Sequence, residues 1–184
     1  MSALPSLMRL VALLICLSAV NGPAWAAAVG TVTRVQNQAQ IGATAATVGA
    51  LVHMNDQLLT GANARLQVTF RDGTVLTLGE NAKVVVDRYV YNPEQSTGDL
   101  ALNATRGAIR LATGKLHQMR NRDVKVSTPY AALAVRGTEF WTGPIDGHYG
   151  ALLLKGRVSV SNRAGAVTLS VPGQGTDIQR RRRR

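Results

Sequence analysis

Apolar and polar residues alternate along most of the chain after Val29, with a period of two rather than the 3.6 of a helix. The clearest stretch is Ala64 to Phe70, where Leu66, Val68 and Phe70 fall on one face and Arg65, Gln67 and Thr69 on the other. Arg71-Asp72-Gly73 interrupts it, and Thr74 to Leu78 resumes the same period. An Asp-Gly pair between two such runs predicts a hairpin, because glycine reaches positive φ without steric cost. Asp72 and Gly73 are therefore assigned a structural, turn-forming role.

The same pattern predicts strands at Gly30 to Gln36, Lys83 to Tyr91, Asp99 to Asn103, Ala108 to Thr113 and Val124 to Thr128. Further ones follow at Thr138 to Thr142, His148 to Leu154, Arg157 to Ser161 and Ala166 to Val171. Gly, Asn, Asp or Pro marks nearly every gap, as at Gly61-Ala62-Asn63, Gly79-Glu80-Asn81, Asn92-Pro93, Asp146-Gly147 and Gly156. The segments around Gly107 and Gly156 each predict strand, glycine turn, strand. Ala43 to Ala50 and Pro129 to Val135 are the two stretches that tempt toward helix, and Thr44, Thr47, Val48, Gly49 and the leading proline count against it. The fold class is all-β, a compact sandwich or a rolled, solenoid-like sheet of short strands.

The two ends differ from this body. Arg9 precedes an apolar run from Leu10 to Val20, then Asn21-Gly22-Pro23 and Ala24-Trp25-Ala26, the layout of a secretory signal peptide cut after Ala26. The run is about half of the roughly 20 residues a membrane-spanning helix needs. The expected organisation is a signal peptide over 1–26, a β domain over 27–173 and a disordered basic tail over 174–184, placed in the periplasm or alternatively secreted. The only cysteine, Cys16, falls in the leader, so the exported chain holds no disulfide and no thiolate metal site. The net charge of +11 overstates the body, since Arg180 to Arg184 supply much of it. A like-charged block without apolar side chains adds nothing to a core.

A family resemblance rests on particular residues. Val126-Ser127-Thr128-Pro129-Tyr130 through Val135-Arg136-Gly137-Thr138-Glu139-Phe140 resembles the Thr-Pro … Val-Arg-Gly-Thr-x-Phe signature of the FecR domain. Gly49-Ala50 to Asn55-Asp56, Leu59-Thr60-Gly61, Asn63-Ala64 and the Asp72-Gly73-Thr74 hairpin resemble its first half, and Leu154 to Val158 its closing strand pair. The resemblance spans about Gly30 to Val171. It implies a periplasmic sensor module of the kind tied elsewhere to a transmembrane helix and a segment that controls a sigma factor. This chain is expected to carry the module without that relay, which leaves ligand or partner binding as the implied role.

Few residues offer catalytic chemistry. His53, His117 and His148 lie far apart, with no metal-type spacing, so no metal and no cofactor is expected. Asp72-Gly73-Thr74 reverses the order of an aspartic-protease motif, and no Gly-x-Ser-x-Gly elbow occurs. Glu80 and Glu139 are the one conceivable acid and base pair for glycoside hydrolysis. Arg136, Thr138 and Glu139 are candidate binding residues around a bend at Gly137. Arg136 either offers its guanidinium fork to an acidic partner or pairs internally with Glu139 or Asp123 to pin that bend. Pro129 and Gly137 are assigned structural roles. Arg120, Arg122 and Lys125, near Lys115 and His117, form a basic cluster that either meets lipid headgroups, acidic glycan or an acidic protein or is a solvated hairpin loop. No aromatic interleaves with it as stacking on single-stranded nucleic acid would require, and export argues against nucleic acid too.

The sequence therefore predicts a non-catalytic periplasmic module that binds a protein partner or an anionic envelope polymer in signalling or regulation. A structural or adhesive envelope protein is the first alternative and a carbohydrate-active enzyme the second. The sequence leaves the oligomeric state open.

Overall fold

The computed structural model describes residues 27–178, so the expected leader, Cys16 and the run Arg180 to Arg184 lie outside the described residues. The first strands are β1 Gly30–Gln36, β2 Ala39–Ile41, β3 Thr44–Ala45, β4 Leu51–Val52, β5 Gln57–Thr60, β6 Arg65–Phe70 and β7 Val75–Leu78. Then come β8 Lys83–Asn92, β9 Thr97–Arg106, β10 Ile109–Ala112, a 3-10 turn Lys115–Gln118, β11 Asn121–Ser127, β12 Ala132–Ile145 and β13 His148–Asn162. β14 Gly165–Leu169 and β15 Gly175–Asp177 close the chain. The protein is all-β, one rolled sheet, as the alternation predicts.

The sheet path runs β3-β2-β5-β8-β9-β11-β12-β10-β7-β6-β1-β4. β13 lies along one edge of β12 from Ile145 back to Ala132. The opposite edge of β12 is shared. Its first residues, Ala132 to Ala134, take β11, and Glu139 to Thr142 take β10. The long β12–β13 hairpin is thus a spine from which two half-sheets hang, with β11 and β9 paired in parallel and the other ladders antiparallel.

The spine is folded over on itself. Tyr130, just before β12, stacks on Tyr149 at the start of β13 with ring centroids 4.4 Å apart. These residues sit at opposite ends of a ladder that would span roughly 40 Å if straight. The fold falls where the register shifts between Arg136 and Phe140 and where Gly137 and Gly156 both have positive φ, 60° and 84°. A bulge bends its strand and increases its twist. The two half-sheets close on a single core in which Leu58, Leu66, Leu78, Leu102, Leu111, Phe140 and Leu153 are fully buried.

Sequence expectations change at the strand ends and at the end of the domain. Gly156 does not turn the chain, and the strands expected at His148 to Leu154 and Arg157 to Ser161 are one continuous β13. Thr138 to Thr142 likewise lies inside β12. The glycines serve a bulge, which takes up an extra residue without ending the pairing. Ala43 to Ala50 holds β3 and turns, with Gly42 and Gly49 at positive φ, and Pro129 to Val135 is a turn followed by alternating strand. The sheet also continues past Gly173, where the expected domain ended, because β15 pairs with Gly150 to Leu152 and Ile178 is buried.

Candidate functional site

Two charged residues followed by Gly-Thr organise the interior and the exterior of the bend. The first is Asp72, in the hairpin between β6 and β7. Gly73 has a φ of 84° and donates its N–H to the Phe70 carbonyl, which closes the turn. Asp72 itself is 1% exposed. Its carboxylate accepts from the Thr74 hydroxyl at 2.6 Å, the Thr74 N–H at 3.3 Å, the Tyr89 hydroxyl at 3.0 Å and the Leu116 N–H at 3.1 Å. The Asp72 N–H donates back to the Tyr89 oxygen at 2.9 Å, and the Asp72 carbonyl accepts from Lys115.

This corner joins three parts of the chain. β8 belongs to one half-sheet, the β6–β7 hairpin to the other, and the 3-10 turn crosses between them. Phe70 and Tyr89 stack there at 5.3 Å. Burial, reinforced by the Asp72 charge, pushes the Tyr89 phenol well above its ordinary range. No described cation pairs with Asp72. A buried carboxylate without a counter-ion is tolerated only when its lone pairs are taken up, and here four donors do so. The Asp-Gly pair therefore makes a turn and also clamps the half-sheets together.

The second is Arg136-Gly137-Thr138, at the fold of the spine. Thr138 is 2% exposed, and its hydroxyl donates to the Arg157 carbonyl at 2.5 Å. The same oxygen accepts the N–H groups of Arg136 and Arg157, each at 3.2 Å. The Thr138 N–H and carbonyl bond to Thr113 at the end of β10. Gly156 is forced by contact. A Cβ there would lie 2.1 Å from the Gly137 carbonyl oxygen, whereas a Cβ on Gly137 would meet nothing nearer than His117 at 3.7 Å.

Outside the bend the charges are basic. Arg136 faces Arg157 across the ladder, and both are exposed. Among the described residues neither guanidinium has an ion-pair or hydrogen-bond partner. Neither expected partner of Arg136 takes it. Glu139 is bound by Arg110 of β10, and Asp123 is held by Lys125 at 2.6 Å and Arg88 at 3.5 Å. Register explains the first choice, since Glu139 faces Ala112, two residues along the same face from Arg110.

The other basic residues do not converge. β11 is an internal strand, not a hairpin loop, and its alternation sends neighbours to opposite faces. Lys125 points outward into the Asp123 pair, while Arg122 donates to the Met119 carbonyl at 2.7 Å with its Nε buried and unpartnered. The Arg120 N–H donates to Ser96 and its side chain is exposed. Lys115 and His117 sit in the 3-10 turn, with the His117 ring against the Gly114 carbonyl at 2.5 Å. Pro129 lies in a turn whose Thr128 hydroxyl accepts the N–H groups of Tyr130 and Ala131. Glu80 accepts the Asn63 N–H in the β7–β8 loop, so Glu80 and Glu139 have separate partners on separate elements.

Sequence reasoning missed Arg157 and Lys155. The register that sets Arg157 opposite Arg136 is not visible in the order of residues. A signal was present in retrospect, because Arg136-Gly137 and Lys155-Gly156-Arg157 are both basic residues beside a glycine in an otherwise alternating run.

A family model described as FecR protein matches residues 56–159. No curated protein matches significantly. Two crystal structures described as a putative anti-sigma factor from Parabacteroides distasonis ATCC 8503, at 1.65 and 2.50 Å resolution, are similar in fold. The first is 18% identical with a TM-score of 0.49, and the second 17% identical with a TM-score of 0.50. Each match covers 66% of this chain and 58% of that chain. At this identity the likeness concerns the fold alone.

Proposed function

The chain belongs to the FecR protein family, and from that premise we propose that its rolled sheet is a non-catalytic, protein-binding module of the periplasm with a regulatory output. The leader over 1–26 would deliver it there. One observation carries the reading: the interior polar groups that organise the bend are used up inside the protein, while the outer face of the bend keeps its cations unpaired. Asp72 spends its acceptors on Thr74, Tyr89 and Leu116, Thr138 spends its hydroxyl on Arg136 and Arg157, and Glu139 is held by Arg110. A recess between β14 and β15 holds a single carboxylate, Asp177. What remains to meet another molecule is a rigid outer surface. The similar crystal structure with a TM-score of 0.50, described as a putative anti-sigma factor, agrees with a place in signalling.

The test is a photo-crosslinking residue in place of Ser159, on the outer face of β13, in the living host, with mass-spectrometric identification of the product and transcript profiling of a deletion strain. One envelope protein captured, together with a defined set of altered transcripts, is the expected outcome. Absence of any captured protein, or recovery of the chain in the cytoplasmic fraction, would overturn the proposal.

A further inference from the structure

We propose that Arg136 and Arg157, set side by side on the outside of the folded spine, dock an acidic segment of a protein partner whose charges alternate in sign. The proposal deepens the reading of a protein-binding module and rests on it. Residues directly opposite in an antiparallel pair hold their Cβ atoms about 4.5–5.5 Å apart, and like charges in that position destabilise a sheet. Arg136 and Arg157 occupy such a pair, exposed, and no described carboxylate lies within ion-pair distance of either. Lys155 is exposed on the next rung, facing Glu139, whose carboxylate is already engaged by Arg110.

Thr138 makes the arrangement rigid. Its one buried hydroxyl gathers the backbone N–H groups of both arginines, so the spacing of the two side chains is set by a bond network and not by their own contacts. Arginine forks so placed match a carboxylate by paired N–H donors. Thr138 is in this sense a positioning residue. The spacing Arg-Gly-Thr then has a physical reason: glycine takes the left-handed φ of the bulge, and the threonine reaches back to tie the two arginine backbones together.

The neighbouring strands decide between a protein and a uniform polyanion. Lys125 of β11 pairs with Ala134, two residues before Arg136, and its ion pair continues a mixed-sign cluster over β8, β9 and β11, with Arg88 within 3.9 Å of Asp99 and 3.5 Å of Asp123. A chain of repeated phosphates or carboxylates running on from the arginines across β11 and β9 would meet two aspartates. A protein segment can place acids on Arg136 and Arg157 and keep neutral or basic side chains over the already paired Asp99 and Asp123. Alternating charge favours a patterned partner and disfavours wrong ones.

The probe is a fluorescent peptide, Lys-Ser-Glu-Glu-Ser-Lys, titrated with the full chain at low and physiological salt and read by anisotropy. The Arg136→Gln/Arg157→Gln variant is expected to weaken its binding at least tenfold while the melting temperature stays level or rises, as the like-charge contact is relieved. A charge-reversed peptide, Glu-Ser-Lys-Lys-Ser-Glu, is expected to bind the Arg136→Glu/Arg157→Glu variant in preference to the wild type. Equal peptide binding by wild type and the glutamine variant would overturn the proposal. Tighter binding of polyphosphate or phosphatidylglycerol vesicles than of the peptide, lost in the same variant, would also overturn it in favour of a uniform anion. The crosslinked partner separates the two readings: its retention by the glutamine variant removes the docking site but leaves the protein-binding module standing.

Discussion

Asp72-Gly73-Thr74 and Arg136-Gly137-Thr138 share a pattern, a charge followed by glycine and threonine, and the fold uses them oppositely. Both glycines take positive φ, and both threonines are buried with their hydroxyls tying backbone from distant elements. In the first the charge turns inward and is consumed by four donors. In the second it stays outside and has no partner among the described residues. The difference lies in where each triplet falls in the sheet. Asp72 sits at a hairpin end that the 3-10 turn covers, so donors from a third element reach it. Arg136 sits in the middle of a ladder whose outer face nothing described covers. The pattern alone does not say whether a charge is structural or available, because burial by a remote segment decides it.

The sharpest way to break this contrast is Asp72→Ala, which leaves the Leu116 N–H and the Tyr89 and Thr74 hydroxyls without their acceptor. Unsatisfied buried groups cost about 1–3 kcal/mol each, so a loss of about 3–5 kcal/mol is expected by urea titration. A loss under about 1 kcal/mol would show that the clamp is dispensable. Next in size is Gly156→Ala, about 2–4 kcal/mol, because its Cβ would collide with the Gly137 carbonyl as well as strain φ. Gly137→Val, with open space around it, should cost about 1–3 kcal/mol from φ strain alone. The reverse order would place the constraint on the wrong strand.

A smaller effect separates the two triplets by pH. Burial first, and the Asp72 charge second, raise the Tyr89 phenol, so above an ordinary phenol value of about 10 the unfolded chain releases a proton that the folded one keeps. Stability contributed by this group is therefore complete below pH 10 and is lost as pH rises beyond it. Burial raises the Tyr149 phenol as well and adds to the same fall. Thermal melting between pH 8 and 11 should decline above 10, and Tyr89→Phe should flatten that decline even though it lowers the melting temperature throughout. The smallest effect belongs to Arg136→Ala, expected within about 0.5 kcal/mol of wild type because the side chain is exposed and unpaired. A larger loss would mean that Arg136 pins the bend after all.

Much of the sheet was legible because burial on one face writes itself as alternation. β1 is the run expected, and the β6–β7 hairpin follows from Leu66, Val68, Phe70 and the Asp-Gly turn. Glycine was the weak point, since it marks turns and bulges alike, and Gly137 and Gly156 hid the length of β12 and β13. The site was less legible still. Arg157 reaches Arg136 only through a ladder 21 residues apart in sequence, and Leu116 reaches Asp72 from 44 residues away. Arg120, Arg122 and Lys125 looked like a cluster because they are close in sequence, yet strand alternation divides Arg122 from Lys125.

The spine also sets the order in which the chain can become a protein. Before Ala132 is made, β11 and β10 are edge strands of two separate sheets with no ladder between them. Only β12 supplies the strand that both require. Assembly thus waits on contacts between residues far apart in sequence, the kind that close slowly, in milliseconds to seconds for β-rich domains. A chain stopped short of β12 exposes two unpaired edges, each a template for joining another copy. Completion of β12 and β13 is what retires that hazard, so synthesis must pass Asn162 before the domain can be sealed.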